Sequence, residues 1–249
     1  MRKGLVIDEP LILVRRWVRG SGRAFGQLLR QLARRTTIEE QVAGRVLLQD
    51  RGRAEIGDLA LEHVLDGLGP HLLRKPTRPA WFFERERYGG IITDLGSHQC
   101  DEFLWLADSL DVEIVRATLD NRANPETPGL QDIGEVMLRS ATASGYFRVD
   151  WFTPRGMPVF GDCRLLIVGT EGSIEVRKYV DIGTPEVQPA LLLCDAKGIR
   201  AVDFSDADPQ YGHQLVADIL DRTETAMSQA HCFKAMELAL EAQAMAESS

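Results

Sequence analysis

The 249-residue chain has few cysteines and no long apolar run, and each absence excludes a class of protein. The four cysteines stand far apart, at Cys100, Cys163, Cys194 and Cys232. With no C-x-x-C pair and no secretory signal, we expect reduced thiols, no zinc site and a cytoplasmic protein. No apolar run approaches the roughly 18 residues of a membrane-spanning helix, so a membrane protein is not expected.

What is present is an ordinary globular composition with an uneven charge distribution. Hydrophobic residues make up 44% and charged residues 27%, which is enough for a core without metal or disulfide support. The first 35 residues hold nine Lys/Arg and two acids, which leaves 20 bases and 35 acids, a net charge of −15, for the remainder. Such an acidic body repels nucleic acid. The basic segment fits a solvated helix face better than a nucleic-acid arm or a targeting peptide.

Secondary structure changes in character along the chain. Residues 4–14 read as a short strand, and helices are predicted over Gly26–Arg35 and from Thr36 to about Leu48. After a strand at Leu59–Leu65, an irregular proline-containing loop is predicted over 69–88. The apolar spacing then predicts a helix over Ile92–Ala107. Two further helices, Tyr211–Met227 and His231–Glu247, are predicted at the end of the chain. Along the last helix, large apolar residues at helical spacing are predicted to pack in the core: Phe233, Met236, Leu240 and Met245.

Between these helices lie short segments with two-residue periodicity, which predict strands separated by turns. They are Val112–Leu119, Gly134–Leu138, Gly145–Phe152, Arg164–Val168, Ser173–Tyr179, Ala190–Cys194 and Gly198–Phe204. Consecutive strands joined by tight turns favour an antiparallel, meander-like sheet. The predicted fold is therefore α+β, an open, mostly antiparallel sheet of six or seven strands with helices packed on one face. Its uncovered face predicts a homo-oligomer that forms through the sheet.

The segment 89–103, GGIITDLGSHQCDEF, offers the best candidate for chemistry. If it is helical, Asp94, His98 and Asp101 fall at i, i+4 and i+7 on one face. A carboxylate beside an imidazole suits proton transfer near neutral pH. The same pattern also fits a helix-capping Asp94 and an ordinary hydrogen-bonded His98, and the spacing alone leaves both interpretations open.

Two other segments carry weaker signals. The glycines in VRGSGRAFG, residues 18–26, have a nucleotide-like spacing, but the preceding segment is arginine-rich and no βαβ unit follows, so cofactor binding there is not expected. The aromatic and basic loop before Gly89 includes Arg78, Trp81 and Tyr88, which would suit a pocket for a polar small-molecule substrate. A packed loop explains the same residues equally well.

Three motifs, in order, resemble one family. RPAWFFERERYGGIITDLGSHQCDEFLWL is similar to the signature helix of the glucose–fructose oxidoreductase, inositol dehydrogenase and MocA (Gfo/Idh/MocA) family. GTEGSIEVRKY resembles its sheet hairpin, and RTETAMSQAHCFKAMELALEAQAMAES resembles its closing helices. The resemblance assigns 42–249 to the family's C-terminal substrate-binding and oligomerisation domain. It leaves 1–41 as a basic segment with a possible remnant of a Rossmann domain.

The resemblance implies NAD(P)-dependent hydride transfer on a sugar, polyol or related hydroxy compound. Asp94 and His98 match the family's Asp and His beside the reacting carbon, where the His exchanges the hydroxyl proton. The substrate pocket is then expected to include Arg78, Trp81 and Tyr88. NAD or NADP would be the cofactor; cofactor-binding residues are not assigned, and no nucleic-acid or membrane partner is expected.

Two departures from the family leave an alternative open. The family carries a glycine-rich cofactor domain that this sequence does not recognisably contain, and VIDEP at residues 6–10 places Glu9 where the family has a lysine. Binding of NAD(P) by this chain alone is therefore not expected. The alternative is a non-catalytic ligand-binding or dimerisation module derived from such an enzyme.

Overall fold

A computed structural model describes residues 59–68, 73, 76–159, 161–184, 189–203 and 210–249. The strand and helices predicted before Leu59, and the glycine motif at 18–26, lie outside the described residues. The described residues fall into two compact units. The larger contains 59–203 and 229–249, and the described part of the smaller is 210–228.

The larger unit contains an eight-stranded sheet and several helical segments. The strands are β1 (Leu59–Leu68), β2 (Glu113–Asp120), β3 (Ile133–Arg139), β4 (Ser144–Asp150), β5 (Gly161–Gly169), β6 (Gly172–Arg177), β7 (Ala190–Asp195) and β8 (Gly198–Ala201). Its helical segments are a 3₁₀ turn (Ala80–Phe83), α1 (Arg85–Tyr88), a π-helical turn (Ile92–Gly96), α2 (Ser97–Ala107) and α4 (Gln229–Glu247). The smaller unit contains α3 (Tyr211–Asp221).

The predicted α+β fold with an open, mostly antiparallel sheet is confirmed. The strand order is β2-β3-β4-β1-β5-β6-β7-β8. The simple meander is wrong at one place, because β1 lies between β4 and β5 and pairs with β4 in parallel. The connection from β4 to β5 therefore crosses the end of β1, where the Thr153 amide donates to the Leu68 carbonyl at 3.0 Å.

The core lies between one face of the sheet and helices α2 and α4. Strand residues alternate between the two faces, so Val136 and Leu138 of β3 and Leu165 and Ile167 of β5 are buried. They pack with the apolar residues of α2 and α4 into one hydrophobic core, and α4 lies against β2. The opposite face carries mostly exposed or partly exposed side chains among the described residues, and the paired Ile133 and Asp150 are buried on it.

The region between β1 and β2 is more helical than predicted over its first part, and its predicted single helix is less regular. The predicted loop over 69–88 contains the 3₁₀ turn and α1. The predicted single helix Ile92–Ala107 begins instead with the π turn, and the α-helix starts only at Ser97. A π turn changes the angular spacing of side chains, so the i, i+4, i+7 argument does not describe this segment.

The predicted core face of the last helix is wrong. Phe233 is 71% exposed, and Met236, Leu240 and Met245 are also exposed. The buried residues are mostly small: Ala235, Leu238, Ala239, Ala242, Gln243 and Ala246. Small side chains allow α4 to approach α2 and the sheet closely, so the large residues point the other way.

In the smaller unit, α3 ends at Asp221 rather than at Met227. Arg222 adopts a left-handed φ of 60°, which ends the helix. The Asp218 carboxylate then binds the chain that follows, accepting hydrogen bonds from the Thr223 and Thr225 hydroxyls and from the Thr225 and Ala226 amides at 2.6–2.9 Å.

The four cysteines all lie in the described ranges and form no disulfide, and Cys100 and Cys163 are buried. Within the part of the chain that the structure describes, no helix combines the length and the apolar character needed to cross a bilayer.

Candidate active site

The segment that carries Asp94 begins with a reversal of the chain at two glycines. Gly89 and Gly90 have φ values of 87° and 93°, a region that glycine adopts without a steric penalty. Ile91 and Ile92 follow, and both are fully buried in the core. The Asp94 amide donates to the Gly90 carbonyl at 2.9 Å, so the first turn is fixed directly to the reversal.

Asp94 is a partly buried carboxyl next to two basic groups. Burial raises its pKa above the ordinary 3.8, and Arg78 and then His98 act in the opposite direction. The net rise shows that desolvation outweighs the two nearby basic groups. A carboxyl that retains its proton to higher pH is typical of sites that exchange protons with a ligand.

His98 lies in the first turn of α2 and is exposed, while it remains close enough to Asp94 to affect its pKa. Asp101, the third residue predicted on this helix face, lies away from Asp94 and His98. Asp101 contacts His231 of α4, with 2.7 Å between its Oδ1 and the histidine Nε2. The structure therefore brings together Asp94 and His98, and Asp101 serves to join α2 to α4.

Arg78 is held over aromatic rings near Asp94. Its guanidinium carbon lies 4.0 Å from the centre of the Phe82 ring and 5.5 Å from that of Trp151. Its Nε also donates to the Leu73 carbonyl at 3.3 Å. Stacking and hydrogen bonding together fix the charge in one place, as a binding site for an oxygen-rich ligand requires.

The two aromatic residues predicted to bind substrate occupy different depths. Trp81 is 40% exposed and lies beside Phe82, with 6.2 Å between the ring centres. Tyr88 is buried, and its hydroxyl accepts a hydrogen bond from the Gln131 amide at 3.0 Å. Burial raises the pKa of Tyr88 to about 12, so its hydroxyl stays protonated.

Two glutamines, which sequence reasoning did not identify, hold the start of the Asp94 segment. Gln131 Oε1 accepts from the Ile91 amide, and Gln243 Oε1 accepts from the Ile92 amide, each at 3.0 Å. The only sequence signal was a polar residue at Gln243 among the alanines of α4. No pattern connects it with a segment 151 residues away.

Within the described ranges, no group of three or more His, Cys, Asp or Glu side chains could hold a metal ion. Asp94, His98 and Arg78 can exchange a proton and bind an oxygen, but none can accept a hydride. Oxidation of a hydroxyl at this site would therefore need a bound redox cofactor such as a nicotinamide.

Comparison with known proteins identifies the fold family. The model of the GFO/IDH/MocA C-terminal domain matches residues 62–175. A proposed oxidoreductase from Erwinia carotovora atroseptica SCRI1043 is 35% identical, with a TM-score of 0.76 over 95% of this chain and 68% of that protein. The chain belongs to the Gfo/Idh/MocA family. This confirms the family resemblance that the three sequence motifs indicated.

More distant members of the fold share the same architecture. An oxidoreductase from Agrobacterium radiobacter, solved with NAD⁺, L-tartaric acid and magnesium, is 20% identical with a TM-score of 0.64, over 86% of this chain and 62% of that one. Levoglucosan dehydrogenase, solved with NADH and levoglucosan, is 17% identical with a TM-score of 0.56, over 85% and 62%. This Gfo/Idh/MocA chain thus spans less than two thirds of their length. Among curated proteins no match is found.

Proposed function

We propose that this chain supplies the substrate site for NAD(P)-dependent hydride transfer on a sugar, polyol or related hydroxy compound. The observation that carries the proposal is the partly buried Asp94, whose pKa is raised by burial although Arg78 and the exposed His98 lie close enough to oppose the rise. Distant relatives were solved with NAD⁺ and tartaric acid or with NADH and levoglucosan, which supports a hydroxylated substrate.

The proposed reaction divides between cofactor and protein. A bound nicotinamide would supply the hydride acceptor for the carbon that bears the hydroxyl. His98 accepts the hydroxyl proton and, being exposed, passes it to solvent. Asp94 orients the imidazole and stabilises the positive charge that it gains, while Arg78 binds a neighbouring substrate oxygen.

Substitution of His98 tests this role. With NAD⁺ or NADP⁺ and a panel of glucose, inositol, tartrate and levoglucosan, we expect His98→Ala to lower turnover by about 10²-fold or more, the usual scale for a general acid/base. Asp94→Asn should lower it as well. Appearance of reduced nicotinamide is followed by its fluorescence, and His213→Ala, an exposed histidine of α3, is the matched control.

A second candidate function is a non-catalytic ligand-binding module, favoured by Glu9 at the position of the family's lysine. It predicts saturable binding of one of the same hydroxy compounds by calorimetry, with no turnover by the wild-type chain. Turnover that is unchanged in His98→Ala would exclude the role given to His98, whichever compound reacts.

We also propose that two copies of the chain associate through the open face of the sheet. Exposed apolar residues of three strands lie on this face: Met137, Leu166 and Ile199. They alternate with arginines that are already paired within the described chain, Arg148 with Asp150 and Arg164 with Asp162. Paired charges among apolar side chains can be covered by a second copy without leaving a charge unpaired.

A further inference from the structure

The segment that carries Asp94 and His98 lacks a local N-terminal cap. A helix leaves its first amides without internal partners, and a Ser, Thr, Asp or Asn just before the helix usually binds them. Here two glycines precede it, and Ile91 at its start provides no side-chain cap. The amides of Ile91 and Ile92 are nevertheless bonded, because Gln131 and Gln243 reach them from distant parts of the chain.

Gln243 occupies the centre of a buried amide network. Its side chain is 3% exposed. Its Oε1 accepts from the Ile92 amide, and its Nε2 donates to Gln131 Oε1 at 3.0 Å and to Glu247 Oε1 at 2.9 Å. Gln131 Nε2 donates to the same Glu247 oxygen at 3.1 Å, and Arg85 pairs with it. The orientation of the Gln243 amide is thus fixed by partners on both of its sides.

The contact between Gln243 and Gly90 connects this network to Asp94. A Cβ on Gly90 would collide with the amide group of Gln243, so the glutamine lies directly on the glycine backbone. The Gly90 carbonyl in turn accepts the hydrogen bond from the Asp94 amide. Two consecutive contacts therefore lead from Gln243 to the backbone of the candidate catalytic carboxyl.

We infer that Gln243 is a positioning residue that sets the π turn and so places Asp94 near His98. The effect of Gln243 on the π turn is argued from the hydrogen bonds alone. Its effect on turnover rests on the proposed function. Loss of the bond to Ile92 would free the turn to relax towards a regular α-helix, which would move Asp94 relative to Arg78 and His98.

Two substitutions separate positioning from stability. Gln243→Met removes every hydrogen bond of the side chain at similar length. Gln243→Glu retains an oxygen for the Ile92 amide, but it loses the donor and places a carboxylate beside Glu247, so we expect it to lower the melting temperature at least as much. Leu238→Ala, a buried residue of the same helix, is the control for a general loss of packing.

The readouts are amide hydrogen exchange at Ile92 and Asp94 and the steady-state constants. For Gln243→Met we expect exchange at both amides to be faster by about tenfold or more, and kcat to fall by roughly tenfold with KM within about twofold, because misplaced catalytic groups lower kcat. Gln243→Glu should keep the exchange rates and kcat near wild type despite its lower melting temperature. Leu238→Ala should do the same.

The inference is overturned if kcat and exchange follow melting temperature across the three variants, or if Gln243→Met leaves exchange at Ile92 unchanged. If the wild type shows no turnover, the proposed function fails, while the exchange pattern of the same variants still decides whether Gln243 positions the turn.

Discussion

Burial and neighbouring charge act on Asp94 in opposite directions. The raised pKa means that the folded protein binds the proton of this carboxyl more readily than the unfolded chain does. As pH rises from the ordinary pKa through the raised one, the folded state must give up a proton that the unfolded state has already lost. Folding stability therefore falls over this interval, and the full cost remains at higher pH.

Asp94→Asn should remove that cost. We expect a higher melting temperature than wild type at pH 7, with an advantage that shrinks as pH falls towards about 4, where the unfolded carboxyl is also protonated. Thermal unfolding followed by circular dichroism over this pH range measures the difference. Stability gained with activity lost is the usual behaviour of a functional carboxyl.

The control is Asp111→Asn, an exposed carboxyl after α2, which should change the melting temperature little at any pH. An advantage of Asp94→Asn that stays constant down to pH 4 would show that the charge of Asp94 is not its cause.

Among the elements, α3 shows how one side chain determines where a helix stops. The Asp218 carboxylate binds the two hydroxyls and two amides that follow the helix, beginning with the Thr223 hydroxyl. These bonds, led by that from Thr223, hold the pKa of Asp218 far below its ordinary value. Since the bonds favour the charged form, their contribution is complete above the ordinary pKa and is lost as pH falls through the lowered one.

Asp218→Ala should therefore loosen residues 223–226. We expect amide exchange at Thr225 and Ala226 to accelerate on the order of tenfold at neutral pH, because charge-assisted hydrogen bonds are the strong ones in such a turn. Hydrogen-exchange mass spectrometry or NMR measures it. Asp221→Ala, an exposed carboxyl of the same helix, should leave these amides unchanged; equal acceleration in both variants would contradict the assignment.

At the scale of the whole molecule, the proposed self-association through the open face of the sheet can be tested at Leu166. Leu166 lies on this face, paired across β5 and β6 with Glu175. An arginine at this position can approach Glu175 in the isolated chain, but it would place an additional charge inside an interface between two copies.

Leu166→Arg should weaken self-association by about tenfold or more, the scale expected for a charge that is buried in an interface. Sedimentation velocity over a concentration series measures the dissociation constant. Phe233→Arg on α4 is the control, because Phe233 is more exposed than Leu166 and lies off the sheet. A wild-type chain that stays monomeric at all concentrations, or equal weakening by both variants, would exclude this interface.

The sequence by itself determined the local features of this protein. The two-residue periodicity after Leu110 identified strands β2 to β8, and the motif from Arg78 to Leu106 identified the family, because both depend on neighbouring residues. The same is true of the candidate pair Asp94 and His98, which are four positions apart in one motif.

Only the tertiary structure decided which residues meet across long separations. The insertion of β1 between β4 and β5, the partnership of Asp101 with His231 and the cap that Gln243 gives to Ile92 connect segments without any shared local pattern. The exposed Phe233 has the same cause, since close helix packing selects the alanine face of α4 over its larger residues. Periodicity reports that a helix has two faces, and packing density decides which one is buried.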